Sequence, residues 1–276
     1  MSHKKNATEA GGFYDLDGTW FRGQMFVYFI EECVKAHIMP SIVLKLAAKE
    51  LDLAKQRKIP YEEYIRKQVS AYCDLERMKD IRVQDVRECA KATIERMGNR
   101  VHVFTRELAS ASLDVGIRRV IVSGSPHQVV EEFAKVNNIH MYLGTEHPFT
   151  KRNGVEYFTG GEAITHFMRK DIALKNLSKQ HHLDLERSYA IGDSIVDAAM
   201  FRVVKYPICF NPERKLAPLA RENRWPIVIE EKNLNFIFRP DENGKLVEVS
   251  LSDILPESLA GRLKVRLQEA GWPTEA

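Results

Sequence analysis

The sequence predicts an α/β fold: a parallel sheet wrapped by helices and interrupted after its first strand by a helical insert. Three observations predict it. From Arg118 onward, short apolar runs alternate with helical stretches, the texture of a parallel sheet. From about Trp20 to Leu108 the chain shows helical spacing and no convincing strand. Dense polar clusters stand at the ends of the apolar runs, where parallel α/β sheets hold their ligands.

Residues 1–11 are polar and small, so ordered structure is expected from Gly12, with a short strand over Gly12–Leu16. In the insert, Phe26, Phe29, Ile30 and Cys33 recur at helical spacing, as do Ile42, Leu46 and Leu53. Met39-Pro40 and Ile59-Pro60 mark breaks between helices. Arg118–Val122 reads as a strand, followed by a helix from Pro126 to about Val136. Met141–Leu143 and Val155–Thr159 read as short strands, and a helix from about Ala163 to Gln180 precedes a strand over Ser188–Ile191. Pro207–Phe210 and Pro226–Ile229 are further strands. Phe236–Arg239 and Lys245–Val249 flank the turn-forming Asp-Glu-Asn-Gly and predict a hairpin, with a last helix near Glu257–Ala270.

Composition narrows the function. The 276 residues are 44% hydrophobic and 29% charged, values of a globular enzyme and too apolar for a disordered chain. Lys and Arg number 41 against 38 Asp and Glu, a net charge of +3 without a long basic run, which argues against a nucleic-acid partner. No apolar stretch approaches the roughly 18–20 residues of a membrane span. The basic N-terminus has no apolar run behind it, so no secretory signal is expected. Cys33, Cys73, Cys89 and Cys209 lack C-x-x-C spacing, which disfavours zinc and redox motifs and fits free thiols in a reducing, cytoplasmic compartment.

Four elements carry chemistry. In Asp15-Leu-Asp17-Gly18-Thr19, two carboxylates at a strand end can divide the roles of nucleophile and acid/base, and Gly18 lets the backbone approach an anion. An Asp-Gly turn leaving a strand is the plainer alternative. In Ser123-Gly124-Ser125-Pro126, hydroxyls and free N–H groups at a helix start suit phosphate, although Ser125 also fits an ordinary N-cap. In Gly192-Asp193-Ser194-Ile-Val-Asp197, clustered carboxylates suit Mg²⁺, and Ser194-x-x-Asp197 equally satisfies a capping box. Lys170 and Lys175 lie on the preceding helix, where a cation can offset phosphate and aspartate charge or simply face solvent.

In that order, these elements resemble the haloacid dehalogenase superfamily, in the phosphoserine phosphatase-like branch (subfamily IB) with a helical C1-type cap between the first and second motifs. The resemblance covers about residues 12–230. It implies a Rossmann-like core over 12–20 and 107–230, a cap over 21–106, and leaves 231–276 as an extension of hairpin plus helix. It further implies a Mg²⁺-dependent phosphatase for a small phosphate ester, with Asp15 as nucleophile and Asp17 as acid/base. By the same resemblance Thr19 supports the loop, and Ser123 and the Gly124 backbone bind phosphate. Lys170 fits the third motif best by its distance to Asp193. Family members usually carry a glycine shortly before that lysine; here the nearest are Gly160 and Gly161, which keeps Lys175 open. Asp193 matches the metal ligand beside Asp15 and the Asp17 carbonyl, and Asp197 the supporting acid. An intact D-x-D points to phosphatase or phosphomutase chemistry, with phosphotransfer and a non-catalytic phosphate-binding regulator as alternatives. Where phosphoserine phosphatases carry a glutamate for the substrate amine, Gln24 stands here, so L-phosphoserine is expected to be a poor substrate. Trp20, Phe21, Met25 and Phe26 are either cap core or substrate-facing, and His127 is either an exposed helix-start residue or a substrate contact. The extension can pack on the core, cover an edge strand or support a homodimer, and the sequence does not choose among these.

Overall fold

The computed structural model describes residues 8–60, 63–64, 67, 79–160, 162–164 and 169–275. Its centre is a mixed sheet in the order β10-β9-β8-β7-β6-β1-β2-β3. The parallel part comprises β1 (Glu9–Tyr14), β2 (Arg118–Pro126), β3 (Met141–Thr145), β6 (Leu183–Gly192), β7 (Tyr206–Phe210) and β8 (Ile227–Glu231). Beyond β8 the direction reverses. β9 (Leu234–Pro240) runs antiparallel to β8, β10 (Leu246–Glu248) antiparallel to β9, and β11 (Thr274–Glu275) parallel to β9.

Period-two alternation divides the strand residues between two hydrophobic clusters, one on each face. Tyr14, Ile121, Ile191, Ile208, Phe210 and Val228 belong to one. Phe13, Val120, Val122, Ala190, Cys209 and Ile227 belong to the other. The second face packs on α6 (Lys170–His181), α7 (Ala198–Phe201) and α8 (Leu216–Glu222), which supply Ala173, Leu174, Phe201 and Leu216. Opposite lie α4 (Val103–Asp114), α5 (His127–Val136), α9 (Leu251–Ile254) and α10 (Glu257–Glu269).

Between β1 and β2 stands the helical insert, with α1 (Met25–Lys35), α2 (Ile42–Lys55) and α3 (Val83–Met97). α1 buries Met25, Phe26, Phe29, Ile30 and Cys33 along one stripe. Trp20, Phe21, Met25 and Phe26 are all buried, which agrees with the core reading of those side chains. Cys33, Cys89 and Cys209 are buried free thiols; Leu46 in its side chain and Cys73 altogether lie outside the described residues.

Several boundaries differ from expectation. Order begins before Gly12, because Glu9–Gly11 already pair with neighbouring strands. The small residues there are a packing requirement: a Cβ on Gly12 would lie 2.4 Å from the Tyr189 hydroxyl. The helix expected from about Ala163 does not include Ile164, which is extended and exchanges backbone hydrogen bonds with Glu146 at 2.8 and 2.9 Å; α6 spans Lys170–His181. β4 (Phe149–Arg152) was not anticipated; it pairs antiparallel with β5 (Val155–Phe158) outside the main sheet. Asn153 and Gly154 turn that hairpin with φ of 49° and 82°, the left-handed pair such a turn demands.

The extension completes the core, because Leu259, Leu263 and Leu267 of α10 are fully buried. Arg266 and Arg262 also bridge to Asp114 at the end of α4, at 2.7 and 2.6 Å. Leu263→Ala is expected to cost about 3 kcal/mol from lost burial and the cavity left behind. A thermal melt should then shift down by about 6–12 °C.

Candidate active site

The site lies beyond the ends of three adjacent strands, β6, β1 and β2, so residues from three remote segments converge. Asp15 leaves β1 with its N–H donating to the Ile191 carbonyl at 3.0 Å, which holds the loop against β6. Gly18 turns that loop at φ +84°, and a Cβ there would sit 2.3 Å from Asp193 Oδ2. Gly192 is constrained in the same way, its added Cβ falling 2.4 Å from Asp197 Cγ. Thr19 is buried and donates its hydroxyl to Asp193 Oδ1 at 3.0 Å, while its carbonyl accepts from Thr105 at 2.7 Å.

Lys170 is buried in the first turn of α6 and donates to Asp15 Oδ1 at 2.5 Å and Asp197 Oδ1 at 2.6 Å. Lys175 is exposed one and a half turns further along. Asp197 is firmly held: its other oxygen accepts from the Ser194 backbone at 2.9 Å and the Ser194 hydroxyl at 2.7 Å. The capping-box reading of Ser194 and Asp197 therefore holds, and the same carboxylate also fixes Lys170.

In the second motif the N-cap alternative for Ser125 does not hold. β2 runs through Pro126, and the Ser125 hydroxyl donates to Asp17 Oδ2 instead of capping α5. Asp17 Oδ1 accepts from the Met25 N–H at 2.5 Å, tying the acid to the first turn of α1. Ser123 is buried, with its hydroxyl accepting from the Ser125 N–H at 3.0 Å. The Gly124 carbonyl accepts from Thr145 at 2.7 Å, which fixes that peptide. Ser125 and Thr145 are thus additions to the expected residues. His127 turns to Glu146, its Nδ1 3.4 Å from Oε1, and its ring packs on Tyr142.

Four carboxylates share the Lys170 ammonium. Burial pushes the Asp15 carboxyl up to about 7, against the pull of Lys170. Burial also raises Asp17, and it raises Asp193 well above the ordinary carboxylate range, with Asp15 and Asp197 adding repulsion. For Lys170 burial opposes the charge, but Asp15 and Asp197 outweigh it and raise the group. The cluster is short of positive charge. One oxygen from each of Asp15, Asp193 and Asp197 lies within 4.8 Å of the others, an all-oxygen set that fits a hard divalent cation.

The chain is 31% identical over 136 residues to a *Mycobacterium tuberculosis* protein named phosphoserine phosphatase SerB1, covering 48% of this chain and only 42% of that relative's length. It is 28% identical over 225 residues to an "inhibition of morphological differentiation protein" of *Streptomyces azureus*, covering 78% of this chain and 76% of the relative. A solved protein of unknown function from *Bordetella pertussis* Tohama I superposes with TM-score 0.63 at 16% identity, over 81% of this chain and 99% of that one. A phosphoserine phosphatase solved as a phospho-aspartyl intermediate analogue gives TM-score 0.52 at 19% identity, over 82% and 95%. These two share the fold. The family model for haloacid dehalogenase-like hydrolases matches residues 13–202, which takes in all three site segments. The chain belongs to the haloacid dehalogenase-like hydrolase family.

Proposed function

We propose that the chain is a divalent-cation-dependent phosphatase that hydrolyses a small phosphomonoester through an aspartyl-phosphate on Asp15. The observation that carries this reading is the pairing of two differently held aspartates. Asp15 is gripped by Lys170 at 2.5 Å, whereas two residues on Asp17 is held by Ser125 and the Met25 N–H. Burial raises both, but one is placed beside a cation for attack and the other beside neutral donors, as a proton carrier needs.

An Asp15 oxygen attacks phosphorus as the bond to the leaving oxygen breaks, and Asp17 gives that oxygen its proton. Water then attacks the phosphorus of the aspartyl-phosphate, Asp17 takes the proton from the water, and phosphate leaves with Asp15 restored. Ser123, the Gly124 backbone, Gly18, Thr19 and Lys170 surround the phosphate position. Asp15, Asp193 and the Asp17 backbone carbonyl would hold the cation, with Asp197 alongside; Mg²⁺ suits the oxygen donors. When bound, the ion offsets repulsion between the phosphate dianion and the attacking carboxylate.

The names of the relatives suggest phosphoserine, but Gln24 weighs against it. It precedes the Met25 N–H that touches Asp17, and as N-cap of α1 its side chain makes no capping bond. A neutral amide there offers no charge partner for a substrate ammonium. Phosphate release from a panel of monoesters, with Mg²⁺ and with EDTA, tests the reading. Mg²⁺-dependent release from a few related esters is expected, with phosphoserine among the slower. Phosphoserine turned over far faster than the rest would refute the substrate preference. No release from any ester by folded protein would replace hydrolysis with transfer to another acceptor.

A further inference from the structure

Glu230 is a buried carboxylate, 2% exposed in its side chain, that the chemistry at Asp15 does not use. It is the last but one residue of β8 on the sheet, yet among the described residues its carboxylate meets the two segments that join the helical insert to the sheet. Its Oε1 accepts from Arg22 Nη2 at 2.6 Å and from His102 Nδ1 at 2.9 Å. Its Oε2 accepts from the Phe104 N–H, in the first turn of α4, at 2.7 Å. Burial works against this charge, but His102, the Phe104 N–H and Arg22 outweigh it and hold the carboxyl below its ordinary range.

The two joining segments are bound to each other as well. The Arg22 N–H donates to the Arg100 carbonyl at 2.9 Å and the His102 N–H to the Trp20 carbonyl at 2.8 Å. The first segment also returns to the loop carrying Asp17, since the Gly18 N–H donates to the Phe21 carbonyl at 2.9 Å. Glu230 itself is anchored, its N–H donating to Asn211 Oδ1 at 2.9 Å. On the outer side the Arg22 guanidinium lies over the Trp272 ring at 5.5 Å, so the C-terminal extension closes the same corner. A single carboxylate on the rigid sheet therefore holds both strands of the hinge.

We infer that Glu230 is a positioning residue for the reaction, the pin that sets the angle of the helical insert over the Asp15–Asp17 loop, with Arg22 and Trp272 as its latch. The catalytic consequence rests on the phosphatase reading; the mechanical one does not. Hydrogen exchange reads the pin without any substrate. In Glu230→Gln the amides of residues 20–22 and 100–104 should exchange about 10- to 100-fold faster, while those of β1 and β6 keep their protection. Arg22→Met, at a half-exposed position, should show the same pattern more weakly and guards against misfolding of the first variant. Kinetics supply the second arm. Loosening the insert should raise KM for a small ester and narrow the preference for small over bulky aryl phosphates, changing the ratio of their kcat/KM values. Mere loss of folded protein would lower both in proportion. Uniformly faster exchange in both variants, or unchanged exchange at the hinge, would overturn the assignment. A protein without phosphatase activity but with selective hinge exchange would keep the pin and lose only the proposed reaction.

Discussion

Asp15→Asn is expected to lower turnover by roughly 10⁴- to 10⁶-fold, the scale on which loss of a nucleophile acts. Asparagine keeps an oxygen within reach of the Lys170 ammonium, now 2.5 Å from Asp15 Oδ1, so the local shape survives. The substitution also removes one charge from a cluster whose members repel one another. Thermal stability should therefore not fall, and the comparison of rate with melting temperature separates chemistry from folding. Full activity of the variant, in a preparation free of other phosphatases, would eliminate Asp15 as nucleophile.

Lys170→Met should do both kinds of damage. Methionine fills much of the same volume, but Asp15 and Asp197, both buried, lose their shared cation. Breaking a buried pair from one side costs about 3–5 kcal/mol, because the partner charges stay behind uncompensated. Turnover should fall by about 10²- to 10³-fold as well, since a positioned cation is lost where charge develops. The diagnostic outcome is the contrast: Lys170→Met inactive and destabilised, Asp15→Asn inactive and stable. Lys175→Met, at an exposed position, is the control and should change neither. An unchanged melting temperature for Lys170→Met would show that the ammonium does not hold the cluster together.

Most of this arrangement was legible because its signals are local. Asp15, Ser123 and Asp193 each follow an apolar run, and strands that are parallel and adjacent bring such ends together without further information. The choice between Lys170 and Lys175 was not local. It turned on which face of α6 meets the acids: Lys170 is buried against Asp15 and Asp197, while Lys175 faces outward. Ser125 fitted an N-cap as well as a phosphate site, because a serine before proline and a helix is often a cap; the strand continues past it, and its hydroxyl meets an acid 108 residues away in sequence. Glu230 had no local signature, its partners lying 128 and 208 residues away. The turn at Asp241–Gly244 was plain from composition, and Asp241 Oδ1 accepts from the Asn243 and Lys245 N–H groups there. That β9 would reverse against a parallel sheet was not.

The position of β1 has a consequence for how the molecule is made. It is an interior strand, paired along Gly11–Tyr14 with Arg118–Ile121 on one side and along Gly12–Tyr14 with Tyr189–Ile191 on the other. At about 5–20 residues per second, the second of these partners is synthesised roughly 9–35 s after Tyr14. For that interval Phe13 and Tyr14, both wholly enclosed at the end, can pair on the β2 side at most. The helices of the insert can form meanwhile from local contacts, but β1 cannot be completed until β6 arrives. Completion of the sheet around β1 is thus delayed to the second half of translation, and the nascent chain carries β1 with one edge unpaired until then.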